Sequence, residues 1–403
     1  MREVESGSIT TPAGYRAAGI ACGIKDSGTK DLALVVSDRP ASAAAVYTRN
    51  RVQAAPIAVD RRHLEDGRAQ AVILNSGNAN ACTGAPGEAD AQRMCSLSAE
   101  ALDLLPEDVL VCSTGIIGEP LPMGVIEAGI PSLVESLSEA GGVDCAEAMM
   151  TTDTVAKHLA VEIEIDGKTV HVGGVAKGAA MISPNMATML AVVGTDAALP
   201  ASQLRELLVK AVEGSFNCVT VDGDMSTNDT VIALANGAAG VGDVDTPMDE
   251  SAAQTLFEAM AHVCRHLARA MAADGEGASK LIQILVRGGR TEAEARQVGL
   301  SVANSSLVKT ASFGNDPNWG RILCAMGYAG VDIEPGDVEV SLCGTTIYAD
   351  GSGAAYDADV LSNTMKEKEI TIDIDLARGQ ATAEIFTCDL TYDYVRLNAE
   401  YTT

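Results

Sequence analysis

The fold class is decided by VEIEIDGKTVHVGG, residues 161–174. Apolar and polar residues alternate on both sides of Asp166 and Gly167, a dipeptide that readily adopts the positive φ angles of a two-residue hairpin turn. The segment predicts two antiparallel strands joined by a tight turn. Because such a hairpin interrupts a regular series of strand, helix and parallel strand, a doubly wound nucleotide-binding fold is disfavoured.

The flanking sequence predicts a mixture of strands and helices. Strand-like runs occupy residues 31–37, 70–76, 281–289, 338–344, 370–376 and 381–387, whereas helical spacing occupies residues 88–105, 200–216 and 251–273. We therefore expect an α+β protein. A lobe boundary is expected near Gly288 and Gly289, where a helix-rich stretch gives way to a strand-rich one.

Composition limits the class of partner. The chain has 403 residues, is 47% hydrophobic and carries a formal net charge of -27, so it can bury a large core but lacks the cationic surface that nucleic acids and anionic membranes require. An anionic substrate would need a locally positive site. The candidate cations are Lys177, Lys280, Lys309 and Arg321.

The ten cysteines are scattered singly and form no CxxC pair. In a chain of this length they are interpreted as small core residues. No run of 18 or more apolar residues occurs, and no signal segment is recognised. We expect a reducing, cytoplasmic setting.

Two patterns resemble metal sites, but both are incomplete. His262 and His266 share a helix face, yet Cys264 between them lies about 200° around the helix at roughly 100° per residue. The acidic segment VDGDMSTND, residues 221–229, is similar to a calcium loop but has Thr227 where glycine is required. No phosphate-binding loop is present either. Neither a metal nor another cofactor is expected.

Residues 177–190, KGAAMISPNMATML, contain a candidate nucleophile, Thr188, preceded by Ala187. An N-terminal threonine, exposed by self-cleavage, would carry a hydroxyl nucleophile and an α-amine base whose pKa is roughly 7.7–8.0. Threonine is also β-branched, and TMLAVVG is typical of the start of a buried strand. The local sequence leaves both interpretations open.

Two polar, glycine-rich stretches interrupt the apolar sequence. Thr114 and Gly115 follow the apolar run VLV and are expected just past a strand end, where a hydroxyl and a backbone N–H can converge as in an oxyanion hole, or simply form a turn. Residues 314–321, GNDPNWGR, predict a rigid loop that holds Arg321.

A series of motifs, taken in order, resembles the bacterial ornithine acetyltransferases of arginine biosynthesis, the glutamate N-acetyltransferase family. The motifs are TPAGYRAAGIACGIK, DLALVVSD, ILNSGNANACTG, STGIIGEPLPM, TTDTVAK, KGAAMISPNMATML, DGEGASK, LVKTASFGNDPNWGRI and YVRLNAEYTT. The resemblance implies a layered α/β/β/α-type sandwich over residues 1–288 and a smaller α/β C-terminal lobe over residues 289–403.

The resemblance also implies self-cleavage between Ala187 and Thr188, which would give an α chain of residues 1–187 and a β chain of residues 188–403. Thr188 would then carry acetyl from N-acetylornithine to glutamate in a ping-pong reaction. The implied assembly contains two α and two β chains. Whether acetyl-CoA is a second donor is left open by the motifs.

The resemblance assigns roles to further residues. Thr114 and Gly115 match the oxyanion positions. The matched substrate-binding residues are Lys177, Thr188, Glu276, Asn398, Thr403 and either Thr151 or Thr152.

Two other classes of function remain as alternatives. One is a related self-cleaving acyltransferase or amidohydrolase that acts on another acylated amino acid. The other is an unprocessed binding or structural protein in which Thr188 is only a residue of a core strand.

Overall fold

The computed structural model of the chain describes residues 1–183 and 189–400. Ala187, Thr188 and Thr403 lie outside the described residues.

The first and larger part contains the strands β1 (Arg2–Glu3), β2 (Tyr15–Ile20), β3 (Leu32–Tyr47), β4 (Arg68–Asn78), β5 (Val109–Ile116), β6 (Lys157–Ile165), β7 (Lys168–Lys177), β8 (Leu190–Thr195) and β9 (Thr230–Ala235). Its helices are α1 (Ala55–His63), α2 (Gly84–Leu102), α3 (Met123–Glu135), α4 (Gly142–Met149), α5 (Ala201–Glu213) and α6 (Glu250–Ala273).

The second part contains the strands β10 (Leu281–Gly289), β11 (Glu339–Leu342), β12 (Thr345–Ala349), β13 (Ser352–Gly353), β14 (Glu369–Asp375) and β15 (Ala381–Cys388). Its helices are α7 (Glu292–Ala303), α8 (Ser306–Phe313), α9 (Trp319–Gly327) and α10 (Ala358–Thr364), and the chain continues into α11 (Tyr392–Glu400).

The long strand β3 pairs with other strands in both halves of the large sheet. The sheet order is β1-β6-β7-β8-β9-β3-β4-β5, with β2 paired to β3. Residues 32–36 of β3 pair with β2 and β4, whereas residues 42–47 pair with β9, and the register shifts between the two halves. One long strand thus connects two halves of the sheet.

Side chains that alternate along the strands fill three successive cores. In β3, Leu32 and Leu34 face α1, α2 and α3, whereas Ala33 and Val35 face inward. In β8, Val192 faces the same inner core, and Val193 faces α5 and α6 on the other outer side. The layers therefore run helix, sheet, sheet, helix, and the α+β sandwich expected from the sequence is confirmed.

The hairpin predicted at residues 161–174 is present as β6 and β7. Ile165 pairs with Lys168, and the two turn residues have positive φ angles, 53° at Asp166 and 72° at Gly167. Both signs match the turn type that suits antiparallel strands with a right-handed twist. The last residue of β7 is Lys177.

The second sheet has the order β13-β12-β11-β14-β10-β15. Its core lies between the sheet and the helices α7 and α9, and includes Ile284, Val298 and Ile372. This sheet takes its first strand from residues 281–289, and Leu281, Phe386 and Cys388 also join the core that surrounds α6. The division of the chain at residues 288 and 289 stays a prediction.

The helix α6 links the two parts. Asp249 caps its start by accepting a hydrogen bond from the Ala252 amide, and Leu256, Met260 and Leu267 face the core at helical spacing. Among the described helices, none is long and apolar enough to cross a membrane. The end of α6 leads directly into residues 274–280, which reach the site.

We expect Leu267→Ala to lower the free energy of unfolding by about 2–5 kcal/mol, because it removes a fully buried side chain from a close-packed contact. A Cβ added at Gly174 of β7 would lie only 3.2 Å from Leu267 Cδ1. Leu105→Ala is the matched control, since Leu105 is 66% exposed. Urea unfolding of both variants measures the difference, and equal losses would contradict this packing.

Candidate functional site

A cavity of about 340 Å³ lies where the ends of β5 and β7 meet residues 222–228, residues 274–280 and α11. Seven of the residues assigned to the site from the sequence line it: Thr114, Gly115, Thr151, Thr152, Lys177, Glu276 and Asn398. They are spread over 285 positions of the chain, from 114 to 398. The fold brings them together.

Thr114 and Gly115 lie inside β5, which pairs with β4 in parallel up to Ile116. The expectation that they follow the strand end is therefore wrong. The strand continues because Gly77 and Gly115 permit a close approach of the two backbones, and a Cβ at Gly115 would lie 2.3 Å from the Gly77 carbonyl carbon. The register shifts at Gly77, and bulges of this kind often redirect groups at active sites.

Lys177 places an ammonium group inside the cavity wall. Its side chain is 2% exposed, and Nζ donates hydrogen bonds to Thr151 Oγ1 at 2.8 Å and to Thr114 Oγ1 at 3.3 Å. Burial lowers the pKa of Lys177, and the Asp153 carboxylate opposes that effect. Thr151 and Thr152 both line the cavity, but the bond to Lys177 makes Thr151 the stronger candidate of the pair.

Asp153, Lys157 and Asp274 form a buried network of charges next to Lys177. Asp153 accepts hydrogen bonds from Lys157 Nζ at 2.7 Å and from the amides of Gly178 and Thr151 at 2.7 and 3.1 Å. Lys157 Nζ also binds Asp274 at 2.6 Å. Burial raises the pKa of the Asp153 carboxyl, but the ammonium groups of Lys177 and Lys157 outweigh it and lower that pKa to about 2.

Glu276 and Asn398 also line the cavity. Asn398 Nδ2 donates to Glu276 Oε2 at 2.8 Å, and the Glu276 amide donates to the Ala179 carbonyl at 2.8 Å. The close approach of residues 274–280 to α11 requires Gly277, where φ is +65° and a Cβ would lie 2.4 Å from the Tyr394 amide nitrogen. Residues 274–280 thus join α11 to the chain that follows β7.

The segment that contains the candidate cleavage site is described only at its two ends. Met181 lines the cavity, and Met189 immediately precedes β8, which starts at Leu190. The predicted roles of Ala187, Thr188 and Thr403 stay predictions because these residues lie outside the described part of the chain.

The other three candidate cations do not line this cavity. Lys280 donates to the Ser312 carbonyl at 2.7 Å, and Lys309 is buried and donates to Thr387 Oγ1 at 3.0 Å. Arg321 donates to the Leu307 carbonyl at 2.7 Å. The loop predicted for residues 314–321 is wrong at its end, because Asn318 caps α9 and Arg321 lies in the first turn of that helix.

The two metal-like patterns have other contacts. His262 Nε2 lies 2.8 Å from Glu3 Oε1, whereas Cys264 is packed in the core on the inner side of α6. Asp222 and Asp229 of the acidic segment accept hydrogen bonds from backbone amides. Within residues 1–183 and 189–400, no three His, Cys, Asp or Glu side chains are arranged to hold a metal ion.

Comparison with known sequences identifies the family. The sequence model of the ArgJ family matches residues 16–403. The chain belongs to the ArgJ family. The resemblance to ornithine acetyltransferases drawn from the motifs is thereby confirmed, and the assignment covers both parts of the fold.

Several ArgJ relatives match over nearly the whole chain. A protein of Symbiobacterium thermophilum named "Arginine biosynthesis bifunctional protein ArgJ" is 49% identical over 401 residues, 99% of each chain. A protein of the same name from Caldanaerobacter subterraneus subsp. tengcongensis is 46% identical over 405 residues and covers both chains fully.

Solved structures of the ArgJ family match shorter portions. The arginine biosynthesis bifunctional protein argJ of Bacillus halodurans is 48% identical, covers 46% of this chain and 97% of its own, and has a TM-score of 0.44. The ornithine acetyltransferase of Mycobacterium tuberculosis, solved with ornithine, is 45% identical, covers 45% and 97%, and has a TM-score of 0.43.

Sequence reasoning missed four residues of this candidate site. Asp222, Asn228 and Tyr394 line the cavity, and Asp153 accepts a hydrogen bond from the amide of Gly178, the residue after Lys177. Asp222 and Asn228 belong to the acidic segment that was compared only with calcium loops. Asp153 stands inside the motif TTDTVAK, and a lone acid between threonines and a lysine is the signal that identifies it.

We expect Asp153→Asn to cost about 3–5 kcal/mol of stability at neutral pH, because it leaves the buried Lys177 ammonium without its main counter-charge. A carboxyl whose folded pKa is lowered stabilises the protein above its unfolded pKa, near 3.9. That contribution disappears as the pH falls through about 2. The stability gap between wild type and variant should therefore shrink on acidification.

Asp38→Asn is the control, because Asp38 pairs with Arg16 at 3.0 Å on the surface with both side chains over 40% exposed. Its loss should be within about 1 kcal/mol. Denaturant unfolding at several pH values measures both variants. A gap for Asp153→Asn that stays constant from pH 7 to the acid limit would contradict the assignment.

Proposed function

We propose that the chain transfers acetyl from N2-acetyl-L-ornithine to L-glutamate, giving ornithine and N-acetylglutamate. The observation that carries the proposal is the cavity, whose lining includes the buried Lys177 ammonium, the hydroxyls of Thr114 and Thr151, and the Glu276 side chain. A substrate with both a carboxylate and an ammonium is complementary to a lining that carries both charges. Membership of the ArgJ family supports the same reaction.

The first step proposed is self-cleavage. Thr188 Oγ attacks the Ala187 carbonyl carbon, the bond from that carbon to the Thr188 nitrogen breaks, and the nitrogen takes up a proton. Water then hydrolyses the resulting ester, which leaves the Ala187 carboxylate and a free Thr188 hydroxyl and amine. The products are an α chain of residues 1–187 and a β chain of residues 188–403.

Transfer then uses the same hydroxyl. The Thr188 α-amine accepts the hydroxyl proton as Oγ attacks the acetyl carbonyl of N-acetylornithine. The carbon–nitrogen bond breaks, the proton passes to the leaving ornithine amine, and acetyl-Thr188 remains. The amine of glutamate attacks this ester, takes the acetyl group and returns the hydroxyl, so the reaction is ping-pong.

Thr114 and Gly115 are proposed to stabilise the negative oxygen of both tetrahedral intermediates. The Lys177 ammonium donates to Thr114 Oγ1, so the hydroxyl oxygen acts as acceptor there and its own proton is free to point into the cavity. Gly115 leaves its backbone uncovered by a side chain. Preorganised donors of this kind are typically worth about 2.7–4 kcal/mol each.

Substrate binding is assigned by charge. Lys177 binds the substrate carboxylate together with the Thr151 hydroxyl, and Glu276, held by Asn398, receives the ornithine ammonium. Thr152 and Thr403 complete the proposed binding set. We further propose that two α and two β chains assemble in the cytoplasm and that no cofactor takes part.

We expect Thr188→Ala to give one uncut chain without transferase activity, because both reactions need the hydroxyl. Thr188→Ser, which keeps a hydroxyl, should still cut. A denaturing gel and an assay of N-acetylglutamate formation measure the two effects, and acetyl-CoA supplied instead of N-acetylornithine tests the second donor. Cleavage of the alanine variant would rule out the proposed nucleophile.

We expect Thr114→Val to lower kcat on the order of 10²- to 10³-fold with little change in KM, because it removes one donor to the developing oxyanion while keeping the side-chain shape. Self-cleavage should slow as well. Thr255→Val, at a half-buried position of α6 outside the cavity lining, is the control and should behave as wild type. Steady-state kinetics on the matured protein decide the point, and an unchanged kcat for Thr114→Val would exclude the role.

A further inference from the structure

We propose that Asp222 and Asp229 are positioning residues that hold the two ends of the segment carrying the nucleophile, each through backbone hydrogen bonds. The inference rests on the proposed role of Thr188 and adds two residues to it. Both aspartates belong to the acidic segment 221–229, which the proposed chemistry does not otherwise use.

The downstream end is held at Met189, the residue bonded to Thr188. The Met189 amide donates to Asp229 Oδ1 at 3.0 Å, and the Thr230 amide donates to the Met189 carbonyl at 3.1 Å. Both polar backbone groups of Met189 are therefore fixed to adjacent residues. Asp229 is fully buried, so its carboxylate oxygen cannot be replaced there by bulk water.

The upstream end is held by a matching arrangement. The amides of Met181 and Ile182 donate to Asp222 at 2.6 and 2.9 Å, one to each carboxylate oxygen. The Val221 amide donates to the Ile182 carbonyl at 2.9 Å. Asp222 is only partly buried, which makes this end easier to alter without damage to the core.

The acidic segment is itself fixed to the oxyanion strand. Asn228 Nδ2 donates to the carbonyl of Ser113 at 2.8 Å and to that of Ala79. Ser113 immediately precedes Thr114 in β5. The residues that hold Met189 are thus tied to the strand that provides the oxyanion donors, and a shift at Asp229 would change the distance between nucleophile and oxyanion hole.

Cleavage makes the two ends unequal. Before it, Thr188 is connected to the fold on both sides, whereas afterwards it is connected only through Met189. Asp229 should therefore affect the rate of cleavage and the rate of every later acetyl transfer. Asp222 should affect mainly the rate of cleavage.

The chemistry of the buried acid gives a conservative test. Burial raises the pKa of Asp229, although the Met189 amide opposes the effect, and asparagine, which has nearly the same shape and keeps an acceptor oxygen, is a close substitute. Asp229→Asn keeps an acceptor for the Met189 amide, whereas Asp229→Ala removes it. The asparagine variant should rescue what the alanine variant loses.

Asp196 offers a matched control at the other end of β8. It is 1% exposed and likewise accepts backbone amides, from His171 at 2.7 Å and from Ala13 at 3.0 Å. Asp196→Ala should therefore lose comparable stability. It should not change the position of Met189.

The experiment follows self-cleavage of the full chain over time on denaturing gels, kcat and KM of the matured fraction, and the thermal midpoint. We expect Asp229→Ala to slow cleavage and lower kcat on the order of 10- to 100-fold, as small misplacements of reacting groups do, with KM nearly unchanged. Asp229→Asn should stay within about threefold of wild type. Asp222→Ala should slow cleavage more than it lowers kcat.

The positioning role is overturned if Asp229→Ala cuts and turns over as wild type, if Asp229→Asn is as impaired as Asp229→Ala, or if Asp196→Ala slows cleavage equally. If Asp229→Ala does not fold, Asp222→Ala decides, and wild-type cleavage by that variant overturns the proposal. An uncut wild-type chain, or a cut Thr188→Ala chain, would instead defeat the proposed function.

Discussion

The architecture depends on one constraint, that β3 is hydrogen-bonded into both halves of the large sheet. Its first half lies between β2 and β4, and its second half pairs with β9. Successive side chains of a strand point to opposite faces, so those of β3 fill an outer core on one face and the inner core on the other. With the halves stacked in this way, β5 and β7 end close enough for Lys177 to reach Thr114. The geometry of the candidate site is therefore a property of the sheet as a whole.

Within that frame the site is organised around a buried positive charge. An ammonium removed from water is costly unless opposite charge and hydrogen bonds surround it. Asp153 supplies the charge, and the hydroxyls of Thr114 and Thr151 supply the bonds. These hydroxyls are thereby oriented before any substrate enters. The same residues that make the charge tolerable suit the anionic group of the proposed substrate, in a protein whose net charge repels anions at long range.

Local patterns were sufficient for part of the fold. The Asp166-Gly167 turn and the helix α6 were predicted because their signals lie within a few residues of each other. The contact of Lys177 with Thr114 spans 63 positions, and no periodicity encodes it, so the site residues came from family resemblance. Thr114 and Gly115 were placed past a strand end because the apolar run VLV stops at Val111, whereas Gly115 in fact extends the strand by permitting close pairing with Gly77. The acidic segment is similar to a calcium loop, but the carboxylates of Asp222 and Asp229 accept hydrogen bonds from backbone amides that lie far away in sequence.

The hairpin turn at Asp166 and Gly167 has a consequence for how the chain can be rearranged. It is exposed and lies at the far end of β7 from Lys177, roughly 30 Å away at about 3.3 Å per residue for ten residues. Exposed loop tips are where new termini and inserted domains are best tolerated. A reporter domain placed there would lie at the opposite end of β7 from Lys177, and its insertion would leave β6 and β7 themselves uninterrupted.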